Sequence, residues 1–291
     1  MKTAKKVFGI ITLAATCSLA TTLKAQNIFV ANYDSGTIGE YGPNGSAINT
    51  DLFSGLLNPA GMVISGNNLF AESWHGISEY TTSGTTVNVA LFSGFDEPQG
   101  FAISGNNLFV SNLGSGFIGE YTTSGGTVNA DLFTDGGGPY GLAISGNDLF
   151  VVDWVKGSIG EYNAITGAAI NASLISGLNG PQGIAISGND LFITQNGNNT
   201  IGEYTTSGGT VNASLISGLN SPTCIAISGN DLFVGEGIST IGEYTTSGQT
   251  VNASLITGLD GPAGIAITPE PSAVALAGLG MAALWLWRRR K

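Results

Sequence analysis

Oxygen-bearing side chains recur near the end of one apolar run in each of six repeats along the sequence. In chain order they are Asn32, Glu72, Asn112, Asp153, Gln195 and Glu236. Glu72 stands beside the shifted position because the second repeat is shorter. If the runs are β-strands, their two-residue period turns equivalent side chains the same way. Such oxygens bind hard cations such as Ca²⁺, so we predict a ligand-binding circle with Asp153 and Glu236 as candidate metal ligands.

Aromatic residues accompany these positions, namely Tyr33, Trp74, Tyr140 and Trp154. An aromatic ring offers a flat apolar face on which a sugar can stack, so Trp74 and Trp154 join the predicted binding set. The competing interpretation is that all these residues cap strand ends and hydrate a channel. Strand-end positions are expected to be wet, so replacing Asp153 and Glu236 by alanine should leave folding intact.

A recognisable catalytic set does not accompany these residues. His75 is the only histidine in the sequence. A metal site built on two histidines, or a catalytic base that has a second histidine as its partner, is therefore not available. Glutamate recurs in each repeat, at Glu40, Glu79, Glu120, Glu161, Glu203 and Glu243. Six identical copies indicate a structural role. If buried, these carboxylates must accept hydrogen bonds or be partly neutral; otherwise they face water on an outer strand.

The elements that must position these residues repeat every 39 to 42 residues. Each repeat has four β-type segments in fixed order: Gly-Ile-Ala-Ile-Ser, a Leu-Phe-Val run, Ile-Gly-Glu-Tyr, and an Ala-Ser-Leu-Ile-Ser type run. Ser-Gly-Asn and Thr-Thr-Ser-Gly sequences, which are typical of hairpin turns, separate them. Four strands in a repeat of this length are typical of one propeller blade.

The order of the segments predicts a closed ring. The chain starts the repeat at its second segment, near Asn27, and finishes on a first segment, residues 264–268. In a propeller that last strand completes the first blade and hides both edges. We therefore predict an all-β fold, a six-bladed β-propeller of four-stranded blades over residues 26–268. Its blades resemble those of NHL and streptogramin-lyase-like propellers, which also run Pro-x-Gly-Ile-Ala, an apolar strand, and a strand that ends in an aromatic residue.

The N-terminal end carries a predicted export signal. Lys2, Lys5 and Lys6 precede an apolar stretch over residues 7–20 that is too short to be an ordinary membrane-spanning helix. Residues 1–25 are therefore predicted to be a signal peptide, which indicates an exported protein.

The C-terminal end has three features in a fixed order. Pro269, Glu270 and Pro271 lead into an apolar run over residues 273–287, and three arginines and a lysine follow. This arrangement resembles a PEP-CTERM sorting signal over residues 269–291, with a short transmembrane segment at 273–287. The resemblance implies processing by an exosortase after transient anchoring in the inner membrane. It also implies release to the cell surface or extracellular space of bacteria that make exopolysaccharide.

The segment between the two ends is strongly acidic. It contains nineteen carboxylates and one lysine, Lys156, for a net charge of about −18. Nucleic acids and anionic membrane surfaces require a basic footprint, so neither is an expected partner. Cations, neutral sugars and basic proteins fit this charge. Cys224 replaces a glycine of the first segment and is predicted to be a small buried residue.

These features favour a non-enzymatic surface or extracellular-matrix protein whose propeller binds a polysaccharide or an envelope protein. The alternative is a secreted metal-dependent hydrolase or lyase, similar to the lactonase-like propellers that hold a divalent metal with carboxylates. A third hypothesis is a structural matrix component with no saturable ligand.

Overall fold

The computed structural model describes residues 26–74 and 76–269, which form six four-stranded antiparallel sheets. The innermost strand of each sheet contacts the innermost strand of the next, and the series closes on itself. The sheets are therefore the blades of a six-bladed β-propeller, as predicted. A 3₁₀ turn over Asn196–Asn198 joins two strands of the fifth blade.

The strands occupy equivalent places in each blade. The innermost strands are β4 (Met62–Ser65), β8 (Pro98–Ser104), β12 (Pro139–Ser145), β16 (Pro181–Ser187), β20 (Pro222–Ser228) and β24 (Pro262–Ile267). The second strands are β1 (Ile28–Asn32), β5 (Asn68–Ser73), β9 (Asn107–Asn112), β13 (Asp148–Asp153), β17 (Asp190–Gln195) and β21 (Asp231–Glu236). The third strands are β2 (Thr37–Tyr41), β6 (Gly76–Thr81), β10 (Phe117–Thr122), β14 (Ser158–Asn163), β18 (Thr200–Thr205) and β22 (Thr240–Thr245). The outer strands are β3 (Ala47–Ser54), β7 (Thr86–Ser93), β11 (Thr127–Thr134), β15 (Ala169–Ser176), β19 (Thr210–Ser217) and β23 (Thr250–Thr257).

The last strand closes the ring. β24 pairs antiparallel with β1, with Ile267 opposite Ile28 and Ile265 opposite Val30, so blade 1 has the order β24-β1-β2-β3. Beyond the strands, Asn27 N donates to Thr268 Oγ1 at 2.8 Å and Thr268 N donates to Asn27 O at 3.0 Å. The predicted closure by the C-terminal strand is confirmed.

The apolar core lies between the blades in six separate clusters. Each cluster joins residues of two adjacent blades; one, for example, packs Phe29 and Ile38 of blade 1 against Leu69 and Tyr80 of blade 2. The largest fully buried side chains include one phenylalanine from the second strand of every blade: Phe29, Phe70, Phe109, Phe150, Phe192 and Phe233. Because every blade buries both faces against its neighbours, the apolar surface of a single blade is covered only in the assembled ring.

Glycine at the start of the innermost strand lets adjacent blades approach at the axis. A Cβ on Gly183 would stand 2.7 Å from Thr223 O of the next blade, which is closer than a carbon and an oxygen can pack. Cys224 occupies the equivalent place in blade 6 and is buried, as expected, with its Sγ directed towards Pro262 O. The Ser-Gly-Asn turns place glycine at a positive φ, for example 59° at Gly66, as a two-residue hairpin of type II′ requires.

The outer strands are exposed over most of their length, but an asparagine covers part of each open edge. Asn212 Oδ1 accepts a hydrogen bond from Ser214 N at 3.1 Å, and the register of the β18–β19 pair shifts on both sides of Glu203. Equivalent bonds are made by Asn49, Asn88, Asn129, Asn171 and Asn252.

Two sequence predictions fall outside the described residues. The signal peptide over residues 1–25 and the transmembrane segment over 273–287 are not among them, and His75, Glu270 and Pro271 are not either. Within the described ranges, no helix is long and apolar enough to cross a membrane.

Candidate functional site

The predicted circle of polar residues lies at strand ends, where most members cap a loop. Asn32 accepts from Asp260 N at 3.4 Å, Gln195 from Asn179 N at 3.2 Å, and Glu236 from Asn220 N at 3.1 Å. Each of these amides belongs to the loop that leads into the innermost strand of the same blade. The side chains therefore hold the entering loop against the end of the second strand.

The expectation that these positions are wet is wrong for five of them. The exposures are 4% for Asn32, 1% for Glu72, 5% for Asn112, 3% for Asp153 and 3% for Gln195. The loops that Asn32, Asp153 and Gln195 cap also cover these side chains, and each contact joins segments fifteen or more residues apart along the chain. Replacing such a residue by alanine leaves a buried amide without its acceptor and is expected to destabilise the blade.

The two candidate metal ligands are engaged within separate blades. Asp153 Oδ1 accepts from Lys156 N at 2.8 Å, and Oδ2 forms an ion pair with Lys156 Nζ at 2.7 Å. Burial acts to raise the pKa of Asp153, but the hydrogen bonds and charge of Lys156 outweigh it and lower the pKa. Glu236 accepts the hydroxyl of Tyr244 in blade 6. In the part of the chain that the structure describes, no three His, Cys, Asp or Glu side chains form a group that could hold a metal.

The channel itself is lined by a different set of residues, the variable position of the Pro-x-Gly sequence. These residues are Ala60, Gln99, Tyr140, Gln182, Thr223 and Ala263. Five of them line a narrow axial cavity of about 90 Å³, the exception being Ala60, which borders the cavity described next. The sequence pattern could have indicated these residues, because x varies among the six repeats while Pro and Gly are nearly constant. Of these residues, only Tyr140 is among those predicted from the sequence.

A second cavity of about 170 Å³ opens between blades 1, 2 and 3, at the end of the ring that carries the loops between second and third strands. Its lining residues are Tyr33, Asn58, Ala60, Trp74, Glu97, Pro98 and Gln99. Tyr33 and Trp74 are 38% and 53% exposed, so each presents a ring to solvent. Two aromatic faces, two amides and one carboxylate thus converge on one opening.

Backbone hydrogen bonds fix the residues around this cavity. Tyr33 N donates to Gly261 O at 2.8 Å, and Trp74 N donates to Leu57 O at 2.9 Å. Asn58 and Glu97 adopt left-handed backbone conformations, with φ of 48° and 52°, which turn their loops towards the opening. The cavity is therefore built into the blade junctions and does not depend on a long loop.

Tyr140 lines the axial channel and is not among the residues that line this cavity. Burial raises the pKa of its hydroxyl to about 12, with further contributions from Glu72, Cys224 and Tyr33. The phenol is thus neutral at physiological pH and can donate a hydrogen bond. Trp154, by contrast, is 47% exposed on blade 4 and is not among the residues that line the cavity. Of the four predicted aromatic residues, the structure brings together Tyr33 and Trp74 at this cavity, whereas Tyr140 lines the axial channel.

Glu72 differs from the rest of the predicted circle. It is 1% exposed, and its Oε1 accepts from Gly61 N at 2.7 Å, within blade 2. Because it stands one residue before the strand end, it points to the opposite face of the sheet from Asn112 and its equivalents. Burial raises the pKa of Glu72 to about 8, although the bond from Gly61 acts to lower it.

The six repeated glutamates have a structural setting. In blades 1 to 3 an asparagine amide donates to the glutamate: Asn27 to Glu40 at 2.6 Å, Asn68 to Glu79 and Asn107 to Glu120 at 2.8 Å. In blades 4 to 6 an aspartate stands at the asparagine position: Asp148, Asp190 and Asp231. Burial, followed by the charge of Asp190, raises the pKa of Glu203, and burial and Asp148 act likewise on Glu161.

Comparisons with known proteins address the tail and the fold. Residues 268–291 match the family described as the PEP-CTERM protein-sorting motif. A chain in the crystal structure of a nidogen/laminin complex has a TM-score of 0.68 at 15% identity, over 83% of this chain and 98% of that chain. A search of curated proteins finds no match.

Two structures of virginiamycin B lyase from Staphylococcus aureus share the fold as well. The selenomethionine protein has a TM-score of 0.59 at 20% identity, over 79% of this chain and 81% of that chain. A catalytically inactive histidine variant, determined with quinupristin, has a TM-score of 0.59 at 19% identity, over 81% and 86%. The motif implies export, surface-directed sorting and processing by an exosortase. The chain therefore carries a PEP-CTERM protein-sorting motif at residues 268–291, directly behind a six-bladed β-propeller whose structural neighbours include virginiamycin B lyase.

Proposed function

We propose that the propeller is a non-enzymatic binding platform at the cell surface or in the extracellular matrix, and that its ligand is a polysaccharide. The observation that carries this proposal is the cavity between blades 1, 2 and 3, where Tyr33 and Trp74 present exposed rings beside Glu97 and Gln99. Aromatic faces stack on sugar rings, while amide and carboxylate groups bond to hydroxyls.

The charge of the molecule narrows the class of polysaccharide. Glu97 lines the cavity, and the residues between the signal peptide and the sorting motif carry nineteen carboxylates and one lysine. A uronate polymer would be repelled by this field, whereas a neutral or amino-sugar polymer would not. We therefore propose a neutral or amino-sugar polysaccharide, and a basic envelope protein is the other partner that this charge would favour.

The test compares three alanine variants in binding to a panel of neutral, amino-sugar and uronate polysaccharides. Tyr33→Ala and Trp74→Ala are each expected to weaken binding about tenfold, which corresponds to about 1.4 kcal/mol. Trp154→Ala is the matched control, because Trp154 is similarly exposed but lies on blade 4. Equal binding by all three variants would show that the ligand, if one binds, does not occupy this cavity.

The alternative is a secreted metal-dependent hydrolase or lyase, which the shared fold with virginiamycin B lyase favours. The sequence predicts Ca²⁺ as a cofactor of glycan binding, with Asp153 and Glu236 as candidate ligands, whereas such an enzyme would need a divalent metal for turnover. Metal analysis and a turnover screen on lactones and uronate polymers separate the two functions. Stoichiometric Ca²⁺ together with turnover, lost in Asp153→Asn or in His75→Ala, would replace the binding platform as the proposed function.

A further inference from the structure

The buried carboxyl group of Glu72 lies at the junction between blades 2 and 3. Its Oε1 is bonded to Gly61 N, whereas Oε2 is buried and has no hydrogen-bond partner. An ideal Cβ built on Gly61 would stand 3.0 Å from Glu72 Oε1 and 3.1 Å from Gln99 O of blade 3. The carboxyl group and the carbonyl group thus border the same point of the junction. An ionised carboxylate beside a carbonyl oxygen in a dry junction is unfavourable, but a carboxylic acid can donate to that carbonyl.

Two other blades show what this position does. Ser111 is the equivalent of Glu72 in blade 3: its hydroxyl accepts from Gly100 N at 2.9 Å and donates to Tyr140 O of blade 4 at 2.6 Å. Thr194 repeats the pattern in blade 5, accepting from Gly183 N at 2.7 Å and donating to Thr223 O of blade 6 at 2.9 Å. Each hydroxyl thus ties its own blade to the next.

The carbonyl that corresponds to Tyr140 O and Thr223 O in the junction after blade 2 is Gln99 O, since all three precede the first-strand glycine or cysteine. We propose that Glu72 is held as a neutral carboxylic acid that donates to Gln99 O and ties blade 2 to blade 3, and that its ionisation releases this tie. Glu72 is then a positioning residue for the cavity, because Trp74 follows it by two residues and Gln99 lines the same opening.

Among the residues that the structure describes, no positive charge beside Glu72 compensates its ionised form. Strands β4 and β8 carry no titratable side chain, and β6 carries Glu79 and Tyr80, which pair with the other end of β5. Tyr140 lies in β12, and the charge of Glu72 contributes to its raised pKa. Glu97 lies in the loop before β8. None of these groups is basic. Burial accordingly raises the pKa of Glu72 to about 8.

The direction of the pH effect follows from this raised value. The stabilisation by Glu72 is fully present below the ordinary carboxyl pKa of about 4.3, because both the folded and unfolded forms are then protonated. It is lost progressively as pH rises and levels off above the folded pKa of about 8. The junctions at Ser111 and Thr194 have hydroxyl groups instead and provide no such dependence.

Two measurements on the full-length protein test the proposal without any ligand. The infrared band of a neutral carboxylic acid at pH 7 is expected in the wild type and absent from Glu72→Thr, which reproduces the residue of blade 5. The unfolding midpoint of the wild type should fall relative to that variant between about pH 5 and pH 8. Glu72→Gln, a neutral side chain of the same shape with a donor, should behave as the threonine variant does.

The opposite results would overturn the proposal. In the first, the infrared spectrum of the wild type at pH 7 shows no acid band that is missing from the spectra of Glu72→Thr and Glu72→Gln. In the second, unfolding has the same pH dependence in all three proteins. If the threonine variant does not fold, the glutamine variant supplies both comparisons. Only the role of Glu72 as a positioning residue for the cavity rests on the proposed function. Because neither measurement contains a polysaccharide, failure of the tie and failure of the binding function are distinguishable.

Discussion

A single residue type at the start of the second strand distinguishes blades 1 to 3 from blades 4 to 6. Asn68 donates to Glu79, which satisfies a carboxylate in a body that has one lysine. Asp190 takes the place of that amide beside Glu203, and two carboxylates share one face of a hairpin. The first arrangement gives the glutamate a donor, while the second gives it a like charge.

We expect Asp190→Asn to stabilise the protein at pH 7 by a few tenths of a kcal/mol, because it removes a partly solvent-screened repulsion and restores the amide donor of blade 2. Burial and Asp190 raise the pKa of folded Glu203, so the stability from this group is present at low pH and lost as pH rises. The gain should therefore vanish well below pH 4, where both acids are neutral. Urea unfolding at the two pH values measures it.

The reciprocal change, Asn68→Asp, is the matched control and should destabilise at pH 7 and not at low pH. A gain from Asp190→Asn that is the same at both pH values would show that repulsion is not its cause. The two substitutions lie in blades 2 and 5, so the result depends on these two blades alone.

At the scale of the element, each outer strand combines an exposed edge with a device that blunts it. The side chain of Asn212 accepts a hydrogen bond from Ser214 N, and the bulge at Glu203 distorts the hydrogen-bond ladder between β18 and β19. Open edges pair readily with other chains, and bulges reduce this tendency. The sequence Asn-Ala-Ser, which formally matches a glycosylation acceptor in β19, thus has a structural explanation in the strand.

Asn212→Ala is expected to expose the Ser214 amide on an uncharged strand and to accelerate aggregation on heating, with little change in the free energy of unfolding. Light scattering during a temperature ramp measures the onset. Thr210→Ala is the control, because it alters an exposed residue of the same strand without uncovering that amide. If the two variants aggregate at the same temperature, the asparagine does not guard the edge.

The elements were predictable because their signals are local and repeated. The continuous apolar Leu-Phe-Val runs, the glycine in the Ser-Gly-Asn turns and the offset of the last segment together specify four strands, six blades and the closure. The site was less predictable, because it depends on contacts between distant segments. Asn32 caps a loop 228 residues away, and a shift of one residue turns Glu72 to the other face. Tyr33 and Trp74 meet only because blades 1 and 2 are neighbours.

At the scale of the whole molecule, the cavity and Thr268, the residue that follows the last strand, lie at opposite ends of the ring. Strand β1 runs from Ile28, beside the end of β24, to Asn32, which precedes Tyr33 of the cavity. Thr268, at which the sorting motif begins in the sequence, is bonded to Asn27 at the first of these ends. The first residue of the motif therefore lies at the end of the ring away from the cavity.

We expect replacement of Pro269, Glu270 and Pro271 by alanine to prevent processing and to leave the protein in the inner membrane through residues 273–287. Mass spectrometry of the C-terminus and membrane fractionation in a host with an exosortase measure this. The wild-type protein in the same host without its exosortase should give the same retained form. Unchanged processing of the alanine variant would remove the role assigned to the Pro-Glu-Pro sequence.

The closing strand also makes assembly of the ring a test of whether synthesis is complete. Until residues 262–267 emerge, the first blade has three strands and β1 has an open edge, although five other blades have already been made. The sorting motif begins at the next residue, 268. The ribosome therefore delivers the last strand and the processing signal almost together. A chain that terminates before residue 262 lacks both the closing strand and the signal for surface sorting.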